Sequence, residues 1–221
     1  MLLLAIDTCG PSGSVALGRL TGSSPAELLA QKALEGRTYS ATLVSGVEEL
    51  LTGQGIRLAD IGCIVVVNGP GSFTGVRVGL SAAKGLAEGT GIPLIAVSRL
   101  AVLARKAGVL CAALDAHRHE IFLRVSDENQ QVRELLAGES DLAQISAPSA
   151  IAICDDAAPI LLSRAWPAAG RVQVDAPTAA DALSFAAPDI RAGNFADTVL
   201  LDGHYLRRSD AEIFGNKVEK S

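Results

Sequence analysis

Residues 67–80 read VNGPGSFTGVRVGL, and this glycine-rich stretch decides how the first half of the chain folds. It begins at the end of Ile61–Val67, a β-branched run typical of a strand buried on both faces. It leads into a helix predicted over Val76–Glu88 that closes at Gly89. The residues that permit a tight reversal between them, or cap the helix, are Gly69, Pro70, Gly71 and Ser72. Strand, turn and helix in this order indicate a layered α/β domain.

The glycine-rich turn has two interpretations. It can be a plain strand-to-helix connection, or it can hold an anion on the free N–H groups at the start of the helix. Two familiar phosphate fingerprints are absent. The glycines at 69, 71 and 75 are spaced one residue too far for G-x-G-x-x-G, and no Gly-Lys-Ser/Thr follows for a P-loop.

The sequence around this stretch continues the α/β pattern. Three strands joined by short turns open the chain and are predicted to pair antiparallel, at Met1–Thr8, Ser14–Leu20 and Glu27–Leu34. A helix is predicted over Thr42–Leu51, where Leu43, Val47, Leu50 and Leu51 share one face. A strand at Pro93–Val97 follows, then a helix capped by Ser98 and running to Ala107.

The pattern restarts near Gly108. We expect paired strands at Val109–Asp115 and Glu120–Ser126, and a polar stretch over 127–148 that forms loop and a short helix. Further strands at Ala150–Cys154 and Val172–Val174 and a helix at Ala179–Ala187 indicate a second, smaller lobe. The predicted organisation is an N-terminal lobe over 1–107, a C-terminal lobe over 108–207 and a flexible tail over 208–221.

Composition excludes several classes of protein. The chain has 221 residues, of which 49% are hydrophobic, enough for a substantial core. No apolar run approaches the roughly 20 residues of a membrane span, and the start lacks the features of a secretory signal. The net charge is −5, with no basic cluster, which argues against a stand-alone nucleic-acid binder. Four scattered cysteines without a Cys-x-x-Cys pair indicate reduced thiols in a cytoplasmic protein.

The helix after the turn carries small residues every four positions, at Gly75, Gly79 and Ala83. Such a stripe lets another element approach closely. Glycine costs about 1 kcal/mol at an interior helical position, so two of them indicate that close packing with another element offsets this cost. That element is either a partner's helix or this protein's own sheet, and the sequence leaves both open.

Several short motifs together resemble the TsaB/YeaZ family. They are Leu3-Leu-Ala-Ile-Asp-Thr8, Ser14-Val-Ala-Leu17, the GPGSFTGVR run over 69–77, Lys84-Gly-Leu-Ala87, Pro93–Ser98, the Asp115–Glu120 hairpin and Tyr205-Leu-Arg207. The resemblance covers residues 1 to about 207. It implies a two-lobed actin/Hsp70-like (ASKHA, ribonuclease H-like) α/β fold with a truncated second lobe.

The resemblance also implies a function. Members are non-catalytic subunits in threonylcarbamoyladenosine biosynthesis, required for modification of the adenosine 3′ of the anticodon in tRNAs that read codons starting with A. They bind and activate the catalytic subunit TsaD, with the ATPase TsaE joining, and meet tRNA through the complex. Independently of the resemblance, an exposed apolar patch on the small-residue face would favour a homodimer of the isolated chain, and the sequence leaves homodimer and monomer open. The implied partner surface lies on the first two helices, at Leu43, Val47, Leu50, Phe73, Gly75, Val76, Gly79, Leu80 and Ala83.

Two positions depart from the family pattern. His117 stands where the family usually has arginine in Asp-Ala-Arg, and Tyr39 stands where many members have histidine. Any role assigned to those positions is therefore open. Arg207 and Arg208 are candidates for tRNA contact by location alone.

Two enzyme classes are the alternatives. An active ATPase or kinase of the same fold would use Asp7, Thr8 and Gly10, which resemble a decayed nucleotide loop. The second half lacks a glycine-rich clamp, so we expect no cofactor of its own, with ATP or ADP possible only in a complex. A glycoprotease-like metallopeptidase needs metal ligands at compatible spacing, and the only close pair is His117 and His119 beside a turn. We expect neither catalytic residues nor a metal.

Overall fold

The structure is a computed structural model that describes residues 1–35, 38–127 and 131–207. Within these ranges the chain forms two five-stranded sheets with helices packed against them. This confirms the predicted two-lobed α/β fold. The predicted flexible tail, 208–221, and Arg208 within it lie outside the described residues.

The first sheet has the strand order β3-β2-β1-β4-β5. Its strands are β1 (Leu2–Asp7), β2 (Gly13–Arg19), β3 (Glu27–Leu34), β4 (Ile61–Val67) and β5 (Leu94–Val97). β1, β2 and β3 pair antiparallel, as predicted, and β4 and β5 extend the sheet in parallel from β1. Because alternate residues point to opposite faces, Leu4 and Ile6 join the core on one side while Leu3 and Ala5 join the core on the other.

Two helices cover one face of this sheet. α1 (Tyr39–Gly53) and α2 (Phe73–Thr90) pack their apolar sides on Leu4, Ile6 and Ile64. α2 begins earlier than predicted because Ser72 caps it directly, accepting a hydrogen bond from the Gly75 N–H at 3.3 Å. The helix ends at Thr90, and the following Gly91 has a φ of 74°, the left-handed conformation that commonly terminates a helix.

The second sheet has the order β10-β9-β6-β7-β8. Its strands are β6 (Cys111–Asp115), β7 (Ile121–Ser126), β8 (Val132–Ala137), β9 (Ala150–Ile153) and β10 (Gly170–Gln173). α4 (Glu139–Leu142) and α5 (Ala158–Ala165) cover one face around Trp166, whose indole N–H donates to the Leu142 carbonyl at 3.1 Å. β8 and α5 are absent from the sequence prediction.

α6 (Ala179–Ala192) belongs to the first lobe in space, although it lies in the second half of the chain. Its buried residues, among them Ala182, Leu183 and Ile190, pack on the face of the first sheet opposite α1 and α2. Leu183 lies so close to β2 that a side chain at Gly18 would come within 2.9 Å of it. The prediction that this helix builds the second lobe is therefore wrong, because its apolar stripe matches a sheet whose last strand ends at Val97, 82 residues before Ala179.

α3 (Arg99–Lys106) joins the two lobes. Leu100 and Leu103 pack against the second sheet, while Val102 packs into the core shared by the first sheet and α6. The segment 194–207 then returns along the first lobe. Its backbone donates from Ala196 to Leu94 at 2.8 Å and from His204 to Asn68 at 2.7 Å. Over the described ranges, no helix is long and apolar enough to cross a membrane.

The placement of α6 can be tested by shortening Leu183, which is 1% exposed. We expect Leu183→Ala to lower the free energy of unfolding by about 2–5 kcal/mol, since it removes buried contacts and leaves a cavity. The matched control is Leu200→Ala, at a side chain that is 80% exposed, which should change stability little. Urea unfolding followed by circular dichroism measures both, and equal effects would contradict the packing.

Candidate functional site: the helical face and the interlobe cleft

The predicted partner surface lies largely inside the protein. Phe73 is 37% exposed, but the other eight predicted residues are buried, namely Leu43, Val47, Leu50, Gly75, Val76, Gly79, Leu80 and Ala83. They belong to the two apolar cores on either side of the first sheet or face β1 directly. The prediction that these eight residues contact a partner directly is wrong. Their helical period identifies the side of each helix that faces the sheet.

The small-residue stripe fits the chain's own first strand. A Cβ placed on Gly75 would overlap the carbonyl oxygen of Thr8, and one placed on Gly79 would overlap the Thr8 hydroxyl. Thr8 also donates a hydrogen bond from that hydroxyl to the Gly75 carbonyl at 2.7 Å. Ala83, fully buried, continues the stripe along the core. Of the two interpretations that the sequence left open, close packing on this protein's own sheet is correct.

The outward faces of α1 and α2 carry a different set of residues. Val44 on α1 is 70% exposed, and a Cβ placed on Gly85 or Gly89 of α2 would meet no atom within 4 Å. At the start of α2, the Arg77 guanidinium lies 3.9 Å from the centre of the Phe73 ring. We call Val44, Phe73, Arg77, Gly85 and Gly89 the outer helical face. Helical spacing could have found Val44, since it is the neighbour of the inward-facing Leu43.

A cleft of about 1040 Å³ lies between the two lobes. Its walls are the β1–β2 loop, the N-terminal turn of α2, the β6–β7 turn and the end of segment 194–207. The charged and histidine side chains that line it are Arg99, Asp115, His117, Arg118, Asp155, His204 and Arg207.

The predicted nucleotide loop is engaged in internal contacts. Asp7 is 1% exposed and accepts a hydrogen bond from the Cys9 N–H at 2.9 Å. Burial raises the pKa of its carboxyl, and nearby Arg99 opposes that rise. Thr8 is fully buried and bonded to α2. Of Asp7, Thr8 and Gly10, only Gly10 lines the cleft.

The two departures from the family pattern lie at opposite sides of this cleft. Tyr39 is buried and donates its hydroxyl to the Gly10 carbonyl at 2.9 Å, fastening α1 to the β1–β2 loop. Burial raises the pKa of Tyr39 to about 12. His117 begins a turn of three residues, 117–119, with φ between 56° and 62°, and its Nδ1 lies 2.8 Å from Asp115. Non-glycine residues rarely adopt this conformation.

Glu134 on β8 ties the lobes together behind the cleft. Its carboxylate accepts from the Ser98 hydroxyl at 2.7 and 2.8 Å, pairs with Arg124 at 2.7 Å, and meets His204 Nε2 at 2.8 Å. Burial opposes its ionisation, but the hydrogen bonds from His204, Ser98 and Arg124 outweigh burial and hold its pKa below the usual value. Ser98 caps α3, as the sequence predicted, so this contact also anchors the helix between the lobes.

In the part of the chain that the structure describes, no three His, Cys, Asp or Glu side chains gather to hold a metal. Burial raises the pKa of the thiols of Cys9, Cys63 and Cys154. Arg207, a candidate for tRNA contact, forms an ion pair with Glu120.

Known proteins resemble this chain over the same elements. The family described as TsaD, tRNA N6-adenosine threonylcarbamoyltransferase, matches residues 30–147. The tRNA threonylcarbamoyladenosine biosynthesis protein TsaB of Escherichia coli is 38% identical over 128 residues, 55% of this chain and 53% of that protein. The TsaB protein of Bacillus subtilis is 35% identical over 126 residues, 55% of this chain and 53% of that protein. The chain spans about half the length of these curated relatives.

Solved structures extend the likeness along the chain. YeaZ from Pseudomonas aeruginosa superposes with a TM-score of 0.70 and 26% identity, covering 93% of this chain and 99% of that one. A Pseudomonas aeruginosa protein described as similar to peptidase YEAZ gives a TM-score of 0.73 and 27% identity, with the same coverage.

Two glycines of α2 provide a test of the packing on β1. We expect Gly75→Ala to lower the free energy of unfolding by about 1–3 kcal/mol, because the new methyl group overlaps the Thr8 backbone. Gly85→Ala, on the open side of the same helix, should raise it by about 0.5–1 kcal/mol through helix propensity. Chemical denaturation of both variants decides, and a stabilising Gly75→Ala would refute the close contact.

The buried Asp7 carboxyl gives a pH dependence with a definite sign. Its folded pKa lies above the ordinary value of 3.8, so the folded state holds its proton more tightly than the unfolded state. The stabilising contribution is complete below 3.8 and is lost as pH rises through the folded pKa. Asp7→Asn should therefore gain stability relative to wild type between about pH 3.5 and about pH 7.5.

The measurement is urea unfolding of wild type and Asp7→Asn at both pH values. Asp156→Asn, at an exposed carboxyl, is the matched control and should show no such gain. A difference between Asp7→Asn and wild type that stays constant, or shrinks, as pH rises would show that Asp7 carries no burial penalty.

Proposed function

This chain belongs to the family of TsaD, tRNA N6-adenosine threonylcarbamoyltransferase, and to its TsaB (YeaZ) group, and from this membership we propose that it is a non-catalytic subunit of a threonylcarbamoyl-transferase complex. The modification it serves is threonylcarbamoyladenosine in tRNA, at the adenosine 3′ of the anticodon in tRNAs reading codons that start with A. Its partners are a TsaD-type catalytic subunit and, through the complex, a TsaE-type ATPase and tRNA. Its location is then the cytoplasm.

The observation that carries the non-catalytic role is the state of the predicted nucleotide loop. The Asp7 and Thr8 side chains, which a working phosphate loop would offer to a ligand, are buried and bonded to this chain's own backbone. Burial also raises the pKa of Asp7, which disfavours the ionised form that would hold a metal–nucleotide complex. The subunit accordingly has no nucleotide cofactor of its own, and ATP or ADP belongs to the complex.

A non-catalytic subunit acts by stabilising one conformation of its catalytic partner. If it binds the active conformation of the catalytic subunit more tightly than the inactive one, it raises the active population in proportion to that difference. The surface we propose for this contact is the outer helical face. It combines an exposed apolar side chain, Val44, with Gly85 and Gly89, where no side chain stands between the helix backbone and an approaching helix.

We further propose that the outer helical face forms a homodimer when the subunit is isolated. An exposed apolar face that is covered in the complex is available to a second copy when the catalytic subunit is absent. The two assemblies then compete for one surface. Added catalytic subunit should convert the homodimer into the heterodimer.

Substitutions on the outer helical face test the proposal. We expect Gly85→Leu and Val44→Glu to fold normally, because both sites are open, and to lower affinity for the catalytic subunit by about tenfold or more. Ile160→Glu on α5, at a side chain that is 60% exposed in the second lobe, is the matched control and should bind as wild type. Co-purification and calorimetry with the catalytic subunit measure the loss.

A reconstituted transfer assay tests the role itself. Catalytic subunit, ATPase, tRNA and the threonylcarbamoyl-adenylate donor should give strong transfer only when this chain is added, and this chain alone should give none. Transfer that is unchanged when this chain is omitted, or transfer by this chain alone, would overturn the proposal.

A further inference from the structure

Arg99, at the first position of α3, is a buried cation to which the described residues offer no ion-pair partner. Its residue is 7% exposed, and its side chain lines the interlobe cleft. Within the same described ranges, no side-chain hydrogen bond engages its guanidinium, and its Nε is buried without an acceptor. Burying an unpaired charge is unfavourable, so a site that keeps one normally supplies a counter-ion.

Comparison with two other charged side chains shows how Arg99 differs, since each of them has a hydrogen-bond partner among the described residues. Arg124, whose Nε is also buried without an acceptor, has an ion-pair partner in Glu134 at 2.7 Å. The Asp7 carboxylate is close enough to interact electrostatically with Arg99, yet it accepts its hydrogen bond from the Cys9 N–H and forms no ion pair with the guanidinium. Because the Arg99 side chain lines the cleft, its donor groups other than the buried Nε are available to a ligand there.

Gly10 in the β1–β2 loop lies against the Arg99 guanidinium. A Cβ placed on Gly10 would overlap the terminal nitrogen of Arg99, so a larger residue there would displace the end of this side chain. The N-terminal turn of α2, an 18-residue helix whose free N–H groups and dipole favour negative charge, lines the same cleft. A cation with unused donors and a helix N-terminus thus line one cavity.

We propose that this cavity binds a small oxyanion, a carboxylate or an inorganic phosphate, on the Arg99 guanidinium. The planar guanidinium presents paired N–H donors that match two oxygens of such a group. Acidic groups limit the charge of the ligand, because Asp115 and Asp155 line the same cleft. They favour a singly or doubly charged ion over a polyphosphate. Of the residues of the outer helical face, Phe73 lines this cavity, whereas Val44, Arg77, Gly85 and Gly89 do not. The proposed site centres on Arg99 and goes beyond the role proposed for the complex.

Calorimetric titration of the full chain tests the proposal, with sodium phosphate and sodium acetate as probes at constant ionic strength in chloride. We expect saturable one-site binding of at least one probe to wild type. Arg99→Gln should weaken that binding by about tenfold or more, since it removes charged hydrogen bonds. Arg105→Gln, at an exposed arginine on the same helix, is the matched control and should bind as wild type.

Tighter binding of phosphate identifies a phosphate site, and tighter binding of acetate identifies a carboxylate site. Circular dichroism confirms that the variants fold. If Arg99→Gln does not fold, Arg99→Lys keeps the charge but loses the planar pair of donors, and it should still weaken binding. Wild type that binds neither probe saturably, or an Arg99 variant that binds as tightly as wild type, overturns the proposal.

Discussion

The close approach of α2 to the end of β1 is the contact on which the rest of the molecule depends. Gly75 and Gly79 leave room for Thr8, and the Thr8 hydroxyl donates to the Gly75 carbonyl. This contact fixes the depth of α2 over the first sheet. It places the N-terminus of α2 at the cleft and turns the opposite side of the helix, with Gly85 and Gly89, away from the core.

The geometry of the cleft depends on a second constraint, which is that α3 and the segment 194–207 contact residues of both lobes. α3 contributes side chains to the cores of both lobes, and Glu134 binds Ser98 at the start of that helix. His204, from the returning segment 194–207, binds the same carboxylate. The two walls of the cleft are therefore held by one polar network and one helix. Arg99 stands at the first turn of that helix, which explains why its guanidinium enters the space between the lobes.

Local chemistry made much of the fold predictable. The β-branched run Ile61–Val67 and the hairpin strand Glu27–Leu34 form strands with the predicted bounds, and Ser72 and Ser98 cap the predicted helices. The sequence pattern did not predict β8, because this strand mixes charged and apolar residues over Val132–Ala137 at the edge of its sheet. The pattern did not predict α5 either, because this helix is short and contains a proline. In both, packing against distant residues decides the structure.

The candidate sites were harder to predict because they depend on which side of each element faces the core. An apolar or small-residue period identifies a packed face but does not say what packs on it. The stripe of Gly75, Gly79 and Ala83 fits Thr8 as well as it would fit a partner. The sequence pattern did not identify Arg99 as a site residue, since a single arginine in a helix is common. Only its burial beside Gly10 distinguishes it.

The position of α6 has a consequence for synthesis on the ribosome. When residues 1–107 have emerged, all five strands of the first sheet exist, but the helix that covers one of its faces is still unmade. That apolar face stays uncovered until about the last turn of α6 at Ala192 leaves the exit tunnel. The first lobe therefore completes its core only after the strands of the second sheet have been translated, and its apolar face is open to aggregation during that interval.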